Sequence, residues 1–228
     1  MAQMELNLDS FIRAQQKLNM ADLTLPSIVT LAGLSGVDGF SLSYDGRSPG
    51  FTEKDLELTI ASAMKIRVAL RIAPRAELLQ LALSLPVTQI IFTGENLFEA
   101  YGKDLEIFIP QIKDAGKLVS FYLEPDLGLL KKAYRLQGDM VELNVRQYSE
   151  NASPVGQAEV QEQIALMART AEKNGMGVAV HGNINFQNAM PLVSIETVEN
   201  IVVGRAILSR SIFVGLETAI RDFKAQVQ

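Results

Sequence analysis

The 228-residue chain contains one histidine and no cysteine, so proton transfer near neutral pH falls to His181 and to carboxylates. His181 lies in AVHGNINF (179–186), where an apolar run gives way to Gly and Asn. An imidazole there can serve as a general acid or base, or as a hydrogen-bonded residue closing a strand. The absence of cysteine excludes disulfides, thiolate catalysis and Cys-based zinc or iron–sulfur sites. A lone histidine rules out a His-rich metal centre, which leaves an all-carboxylate magnesium site through Asp9, Asp45, Glu124 and Asp126. The same acids offer no spacing that favours glycoside hydrolysis. No metal and no cofactor is expected.

Arginines mark a second kind of chemistry. In RVALRIA (67–73), Arg71 alternates with its neighbours and shares a face with Ala69. A small Ala69 suits a crowded interior and would aim Arg71 inward, where a buried guanidinium needs anionic partners. Asp9, Asp45 or a ligand's oxygens are the expected ones. In NIVVGRAILSRSIF (200–213) an apolar run stops at Gly204 and a helix opens at Arg205–Ala206. A helix N-terminus beside an arginine suits an anion such as phosphate. Gly182, after His181, would let such a group approach the backbone; the plainer reading is that both glycines only make turns. Arg71, Arg146 and Arg205 are the expected anion clamp.

These residues require a scaffold, and the chain's periodicity supplies one. Strands are predicted at 4–9, 39–44, 67–73, 89–94, 118–125, 140–145, 177–182 and 200–204. They are short runs bounded by Gly, Pro or Asn, and several are apolar nearly throughout, as in parallel strands buried on both faces. Between them, Leu56, Ile60, Ala63 and Met64 share a helical face, as do Val160, Ile164, Met167, Ala168 and Ala171. Leu216, Ala219, Ile220, Phe223 and Val227 repeat the pattern. Thr52 with Asp55 reads as a helix start. Segments 24–36, 76–85, 106–115 and 127–137 are helix-like, and 188–196 only weakly so.

Eight strands each followed by a helix predict a single-domain (β/α)8 TIM barrel over 1–228. A doubly wound sheet is disfavoured because no G-x-G-x-x-G follows the first strand. In a TIM barrel the chemistry gathers at the C-terminal strand ends. Those ends carry Asn7, Asp9 and Ser10; Ser43 and Asp45; Arg71; Glu124; Glu142, Asn144 and Arg146; His181; and Gly204 with Arg205.

Composition sets outer limits. Hydrophobic residues make up 48% and charged residues 21% of the chain, with a formal net charge of −5. That balance is globular and argues against non-specific nucleic-acid binding, which depends on a positive surface. No apolar run reaches the roughly 18 residues of a membrane span, and MAQMELNLDSF does not read as a secretory signal. A cytoplasmic protein without nucleic-acid or membrane partners is expected.

The residues NLDS (7–10), GVDGFSL (36–42) with FTEKDL (51–56), GMGVAVHGNINFQN (175–188) and IVVGRAILSRSIFVGLETAI (201–220) together resemble the pyridoxine 5′-phosphate synthase family. The resemblance runs over nearly the whole chain and is weakest in the middle. It implies a (β/α)8 enzyme of vitamin B6 biosynthesis that works without metal as a cytoplasmic homo-oligomer. The implied reaction condenses 1-deoxy-D-xylulose 5-phosphate with 3-amino-2-oxopropyl phosphate, releasing phosphate and water. Its chemistry is a series of proton transfers.

Position by position, the family's strand-two histidine falls on Ser43 and the arginine after it on Asp45. The strand-three glutamate falls on Arg71, the strand-one histidine on Ser10, and the histidine after the strand-eight glycine on Arg205. The family reads Ala-Gly-His-Gly where this chain reads Val-His-Gly-Asn. A one-residue deletion brings His181 and Gly182 into register; without it Gly182 takes the histidine's place. Of these positions the resemblance keeps Asn7, Asp9, Gly204 and Gly182 as substrate- and phosphate-holding; with the strand-end chemistry, the expected site is Asn7, Asp9, Ser10, Ser43, Asp45 and Arg71 for substrate, Gly182, Gly204 and Arg205 for phosphate, and His181 for catalysis. The expected ligand is a phosphorylated small molecule. The alternatives are a diverged enzyme on another anionic metabolite, or a non-catalytic relative that binds such a metabolite or stabilises an assembly.

Overall fold

A computed structural model describes residues 2–20, 22–48 and 50–228. The first half of the chain runs β1 (Gln3–Asn7), α1 (Asp9–Lys17), α2 (Leu25–Leu34), β2 (Gly39–Ser43), α3 (Glu53–Ala61), β3 (Arg67–Ile72), α4 (Ala76–Ser84), β4 (Gln89–Phe92) and α5 (Leu97–Asp114). It continues β5 (Leu118–Leu123), α6 (Leu127–Arg135), β6 (Met140–Asn144), α7 (Arg146–Glu150), α8 (Pro154–Lys173), β7 (Gly177–His181), α9 (Ala189–Val193), β8 (Asn200–Val203), α10 (Arg205–Val214) and α11 (Leu216–Val227). The eight strands pair in parallel in sequence order, and β1 closes on β8 through registers such as Leu6 with Val203. The fold is the single-domain (β/α)8 TIM barrel.

Strand alternation divides two environments. Met4 and Leu6 on β1, Phe40 and Leu42 on β2, Leu70 and Ile72 on β3, and Val119 and Phe121 on β5 are buried in the core between barrel and helices. The intervening positions carry Glu5, Ser41, Arg71, Gln89, Ser120, Glu142 and Asn200, all buried as well. Arg71 on β3 hydrogen-bonds Glu142 on β6, a contact that crosses the barrel and places these positions in its lumen. Burial on both faces is therefore correct, but the two faces differ: the outward face is apolar and the inward face largely polar. An interior of this kind is stable only where its polar groups pair with one another.

Each predicted strand runs one or two residues beyond the observed one at its C-terminal end, because the loops that turn toward the helices start there. The clearest correction is the first, where β1 stops at Asn7 and Asp9 and Ser10 open α1. Leu8 already has helical dihedrals, and Asp9 in the first turn complements the helix dipole. The segment predicted at 106–115 belongs to α5, which begins nine residues earlier after Asn96 in a left-handed conformation. At α3 the expected start is realised as a capping box, with Thr52 Oγ1 accepting from the Asp55 N–H and Asp55 accepting from the Thr52 N–H. No helix among the described residues is long and apolar enough to cross a membrane.

Candidate active site

The lumen beneath the C-terminal strand ends holds a connected charged cluster. Arg71 donates from Nε (3.2 Å) and Nη2 (2.7 Å) to Glu142 Oε1, and from Nη2 to Oε2 (2.8 Å). Both side chains are nearly sealed from water, at 4% and 1% exposure. Glu5 on β1 approaches the same guanidinium, with Oε1 at 3.9 Å from Nη2. Arg71 thus points inward as its alternation with Ala69 predicts, but neither Asp9 nor Asp45 is its partner. Glu142 is, because β3 and β6 face one another across the barrel.

His181, the last residue of β7, sits on the upper side of this cluster. Its Nδ1 lies 2.7 Å from Glu142 Oε1 and its side chain is 23% exposed. Burial pushes the Glu142 carboxyl upward, but Arg71 and the imidazole outweigh that and hold it at about 2. A carboxylate so held is an acceptor, so Nδ1 is the protonated nitrogen and Nε2 is left with a lone pair. Nε2 has no hydrogen-bond partner among the described residues. Tyr122 on β5 packs its ring 5.7 Å from the imidazole. Burial, followed by the Glu142 charge, raises its phenol to about 12.

Above His181 lies a cleft of about 160 Å3 whose lining includes Asn7, Asp9, Ser10, Arg13, Tyr122, Arg146, Gly182, Gly204 and Arg205. Three guanidinium groups therefore border it, in a chain that is acidic overall. Arg146 is 3.6 Å from Glu150 one turn along α7. Arg13 and Arg205 are exposed and have no ion-pair partner among the described residues. The N-terminus of α10 opens on the same cleft without a side-chain cap, so its first N–H groups point outward unpaired within the helix.

Both glycines are fixed by close approach. A Cβ on Gly204 would lie 2.5 Å from the Asn7 carbonyl oxygen. A Cβ on Gly182 would lie 2.8 Å from Asn144 Oδ1, and Gly182 also has φ +136°. Their turn-making role and their position on the cleft therefore coexist.

The other sequence candidates separate into two groups. Asp9 accepts from the Ser43 N–H (2.7 Å) and Ser43 Oγ (2.8 Å), tying the end of β1 to the end of β2. Asn7 in turn accepts from the Asp9 N–H. Asp45 folds its own loop instead, accepting from Arg47 N–H, Ser48 N–H and Ser48 Oγ. The Arg47 bond leads in holding its carboxyl below the ordinary value. Ser43 and Asp45 line an adjoining hollow of about 290 Å3, which shares Asp9 and Arg13 with the His181 cleft. Arg71 lies beneath the cleft rather than on its wall, so the clamp expected from Arg71, Arg146 and Arg205 is instead bordered by Arg13, Arg146 and Arg205.

The carboxylates considered for magnesium are not gathered. Asp126 caps α6 through the Leu129 N–H, and Glu124 accepts from Asn144 Nδ2.

Two residues, Arg13 and Glu5, escaped the sequence reading, and a third, Glu142, was named without its partner. Glu142 stands among the strand-end residues, but no spacing links it to His181, because the pairing runs between strands. Arg13 lies on a helix not foreseen at 9–17. Glu5 lies mid-strand, where its inward polar position was hidden in a run read as apolar.

A closed barrel with a histidine over a buried ion pair, beneath a cleft rimmed by arginines, gathers its polar residues at the C-terminal strand ends, as proteins of the TIM-barrel class do. Residues 6–228 match the family described as "Pyridoxal phosphate biosynthesis protein PdxJ". The chain is 24% identical over 237 residues to the pyridoxine 5′-phosphate synthase of Syntrophobacter fumaroxidans, covering 100% of this chain and 99% of that protein. It is 32% identical over 174 residues to that of Chlorobium phaeobacteroides, covering 75% and 70%. Among solved structures, the thiamine phosphate pyrophosphorylase of Pyrococcus furiosus superposes with a TM-score of 0.68 at 11% identity, covering 99% of this chain and 95% of that one. Phosphoribosylanthranilate isomerase of Thermotoga maritima does so with 0.62 at 11% identity, covering 100% and 98%; both bear on the fold alone. The chain belongs to the PdxJ family of pyridoxal phosphate biosynthesis proteins.

Proposed function

We propose that this chain binds a phosphorylated small molecule at the C-terminal face of its barrel and carries out pyridoxine 5′-phosphate synthase-like chemistry, with His181 as the acid–base group. The observation that carries this reading is the Glu142–His181 contact at 2.7 Å beneath the arginine-rimmed cleft. It leaves Nε2 free to take and return a proton beside a place for an anion. Arg13, Arg146, Arg205 and the N–H groups opening α10 hold the phosphate in this reading. Gly182 and Gly204 keep the backbone close to it, and Asn7, Asp9 and Ser10 form the opposite wall. Ser43 and Asp45 contact substrate from the adjoining hollow. Condensation of 1-deoxy-D-xylulose 5-phosphate with 3-amino-2-oxopropyl phosphate needs successive proton transfers, and His181 supplies them with substrate hydroxyls and water as partners.

A second reading has one specific observation in its favour. Arg71, where the resemblance puts a strand-three glutamate, is committed to Glu142, and Ser43 stands where it puts a histidine. That arrangement suits a diverged enzyme, or a non-catalytic binder, acting on another anionic metabolite. The experiment is the condensation assay on purified protein with both substrates, alongside thermal shift with each. Product that disappears in His181→Ala supports the first reading. A folded protein that is stabilised by a phosphorylated ligand but forms no product supports the second. Self-association and a cytoplasmic location belong to the same proposal. Exposed Leu31, Leu34, Leu58 and Met64 on and beside α2 and α3 support the former, and light scattering in solution tests it.

A further inference from the structure

A second hollow opens on the same barrel face, on the other side of Tyr122 from the arginine-rimmed cleft. It encloses about 730 Å3 between the ends of β4 and β5 and the start of α5, whereas the cleft encloses only about 160 Å3. Small-molecule sites commonly span roughly 300–1,000 Å3 and are mostly apolar, so the cleft alone has room for an anionic head group and little more. Tyr122 lines both spaces, and a hydrogen-bonded seam joins them. Glu124 on the hollow accepts from Asn144 Nδ2 at 2.5 Å, and Asn144 Oδ1 accepts from the N–H of Arg146 on the cleft at 3.1 Å.

The hollow is lined by a different chemistry. Leu97 and Phe98 from the first turn of α5, Leu123 from the end of β5 and Leu129 from α6 form an apolar wall. Phe98 and Tyr122 add aromatic surface, which favours a ring over a chain as the apolar guest. The charged residues on this wall are Glu95, Glu99 and Glu124, and no described arginine, lysine or histidine lines it. Lys132 engages Glu99 from α6, but Glu95 and Glu124 have no ion-pair partner among the described residues. An anion entering here meets like charge at short range, which repels it.

We propose that the β4–β5 hollow is a second binding compartment of the barrel mouth, one that takes an uncharged or ammonium-bearing ring and excludes anions. The proposal rests on the reading that the cleft takes a phosphate. A ligand carrying both groups places its phosphate among the arginines and its ring in the hollow, with Tyr122 between them. Polar groups on the ring find partners of both kinds. Thr93 and the two unpaired carboxylates accept hydrogen bonds from a hydroxyl or an amine. The Tyr122 phenol, pushed by burial to about 12, keeps its proton and donates. So do the leading N–H groups of α5, which Asn96 leaves without a side-chain cap.

Leucine-methyl NMR on the full chain tests this with three probes of one shape: benzylamine, benzyl alcohol and benzoate. Benzylamine and benzyl alcohol should shift the methyls of Leu97, Leu123 and Leu129. Both should bind about tenfold more tightly than benzoate, which the two unpaired carboxylates repel. Saturating inorganic phosphate should leave both bound, and Leu129→Trp, which fills the hollow, should abolish the shifts at Leu97 and Leu123. The proposal is overturned if neither probe moves these methyls, if benzoate binds as tightly as benzylamine, or if phosphate displaces the amine. Undiminished shifts in folded Leu129→Trp overturn it as well. Should that variant not fold, as its melting temperature shows, the wild-type methyls decide. Shifts confined to Leu31 and Leu34 on α2 place the probes elsewhere and overturn the proposal. The phosphate reading fails or holds separately: Arg205→Gln should lose the phosphate response and still bind benzylamine. A wild type without any phosphate response defeats that reading, while the hollow is judged on the probes alone.

Discussion

His181 Nδ1 stands 2.7 Å from Glu142 Oε1, a contact between neighbouring strands that fixes both the tautomer and the tilt of the imidazole. Because Glu142 stays ionised, the nitrogen facing it carries the proton and Nε2 is left with its lone pair. In the function proposed above, replacing His181 with Ala removes proton transfer while leaving the Arg71–Glu142 pair intact. Turnover in the condensation assay is expected to fall by about 10²–10⁴-fold, with the protein still folding cooperatively in a thermal melt. Glu142→Gln is expected to lower kcat more than it raises KM, since it releases the ring without touching the cleft wall, and to lower stability as well because it leaves buried Arg71 without its carboxylate.

The ion pair below makes a different prediction. Arg71 and Glu142 are buried at 4% and 1% exposure, so removing one partner strands a charge. Arg71→Met is expected to destabilise the barrel by about 3–5 kcal/mol in urea denaturation. The double substitution Arg71→Met with Glu142→Met replaces both charges by apolar groups of similar length and is expected to recover much of that loss. A double mutant as unstable as the single one would show that the pair is not the source of the effect.

The same pair sets a pH dependence whose sign is fixed. The Glu142 carboxyl is held at about 2 in the folded protein against about 4.3 in an unfolded chain. A depressed folded value means that the contribution is fully present above the unfolded pKa and is lost as pH falls from about 4.3 toward 2. On the order of 3 kcal/mol is lost across that window. Urea midpoints measured from pH 5 down to pH 2.5 should decline in wild type. The decline should be much shallower in the double Met variant.

How much of this was legible beforehand follows from which contacts are local. Eight runs with helices between them identify the barrel, because strand and helix periodicities are properties of consecutive residues. The alternation of Ala69 and Arg71 was enough to aim Arg71 inward, and the Thr52–Asp55 spacing was enough to start α3. The partner of Arg71 was not legible. Glu142 lies 71 positions away, and only closure of the sheet decides that β3 faces β6. Asp9 was misplaced on a strand for a subtler reason. Leu8 continues the apolar alternation of β1, while its backbone has already turned helical. Asp45 was an expected partner for Arg71 by proximity in the barrel, yet its own loop supplies three nearer donors.

Gly204 and Arg205 are adjacent in sequence, and their substitutions should separate two kinds of contribution to the cleft. A Cβ on Gly204 would meet the Asn7 carbonyl oxygen at 2.5 Å and Asn7 Cβ at 3.2 Å. Backbone at that distance cannot yield as a flexible side chain does, so Gly204→Ala must push β1 and the start of α10 apart. Overpacking of this order costs about 1–3 kcal/mol, and Asn7, once moved, loosens its hold on Asp9 and through it on Ser43. Gly204→Ala is therefore expected to lower the melting temperature and also to weaken anion binding. Arg205 is exposed, without an ion-pair partner among the described residues, so Arg205→Gln should leave the melting temperature without ligand nearly unchanged. What Arg205→Gln should lose is most of the rise in melting temperature that millimolar inorganic phosphate gives the wild type, since ligand stabilisation follows affinity. Equal phosphate shifts in wild type and Arg205→Gln would remove this arginine from the anion site. An undiminished shift in Gly204→Ala would mean that the site lies away from the β1–β8 seam.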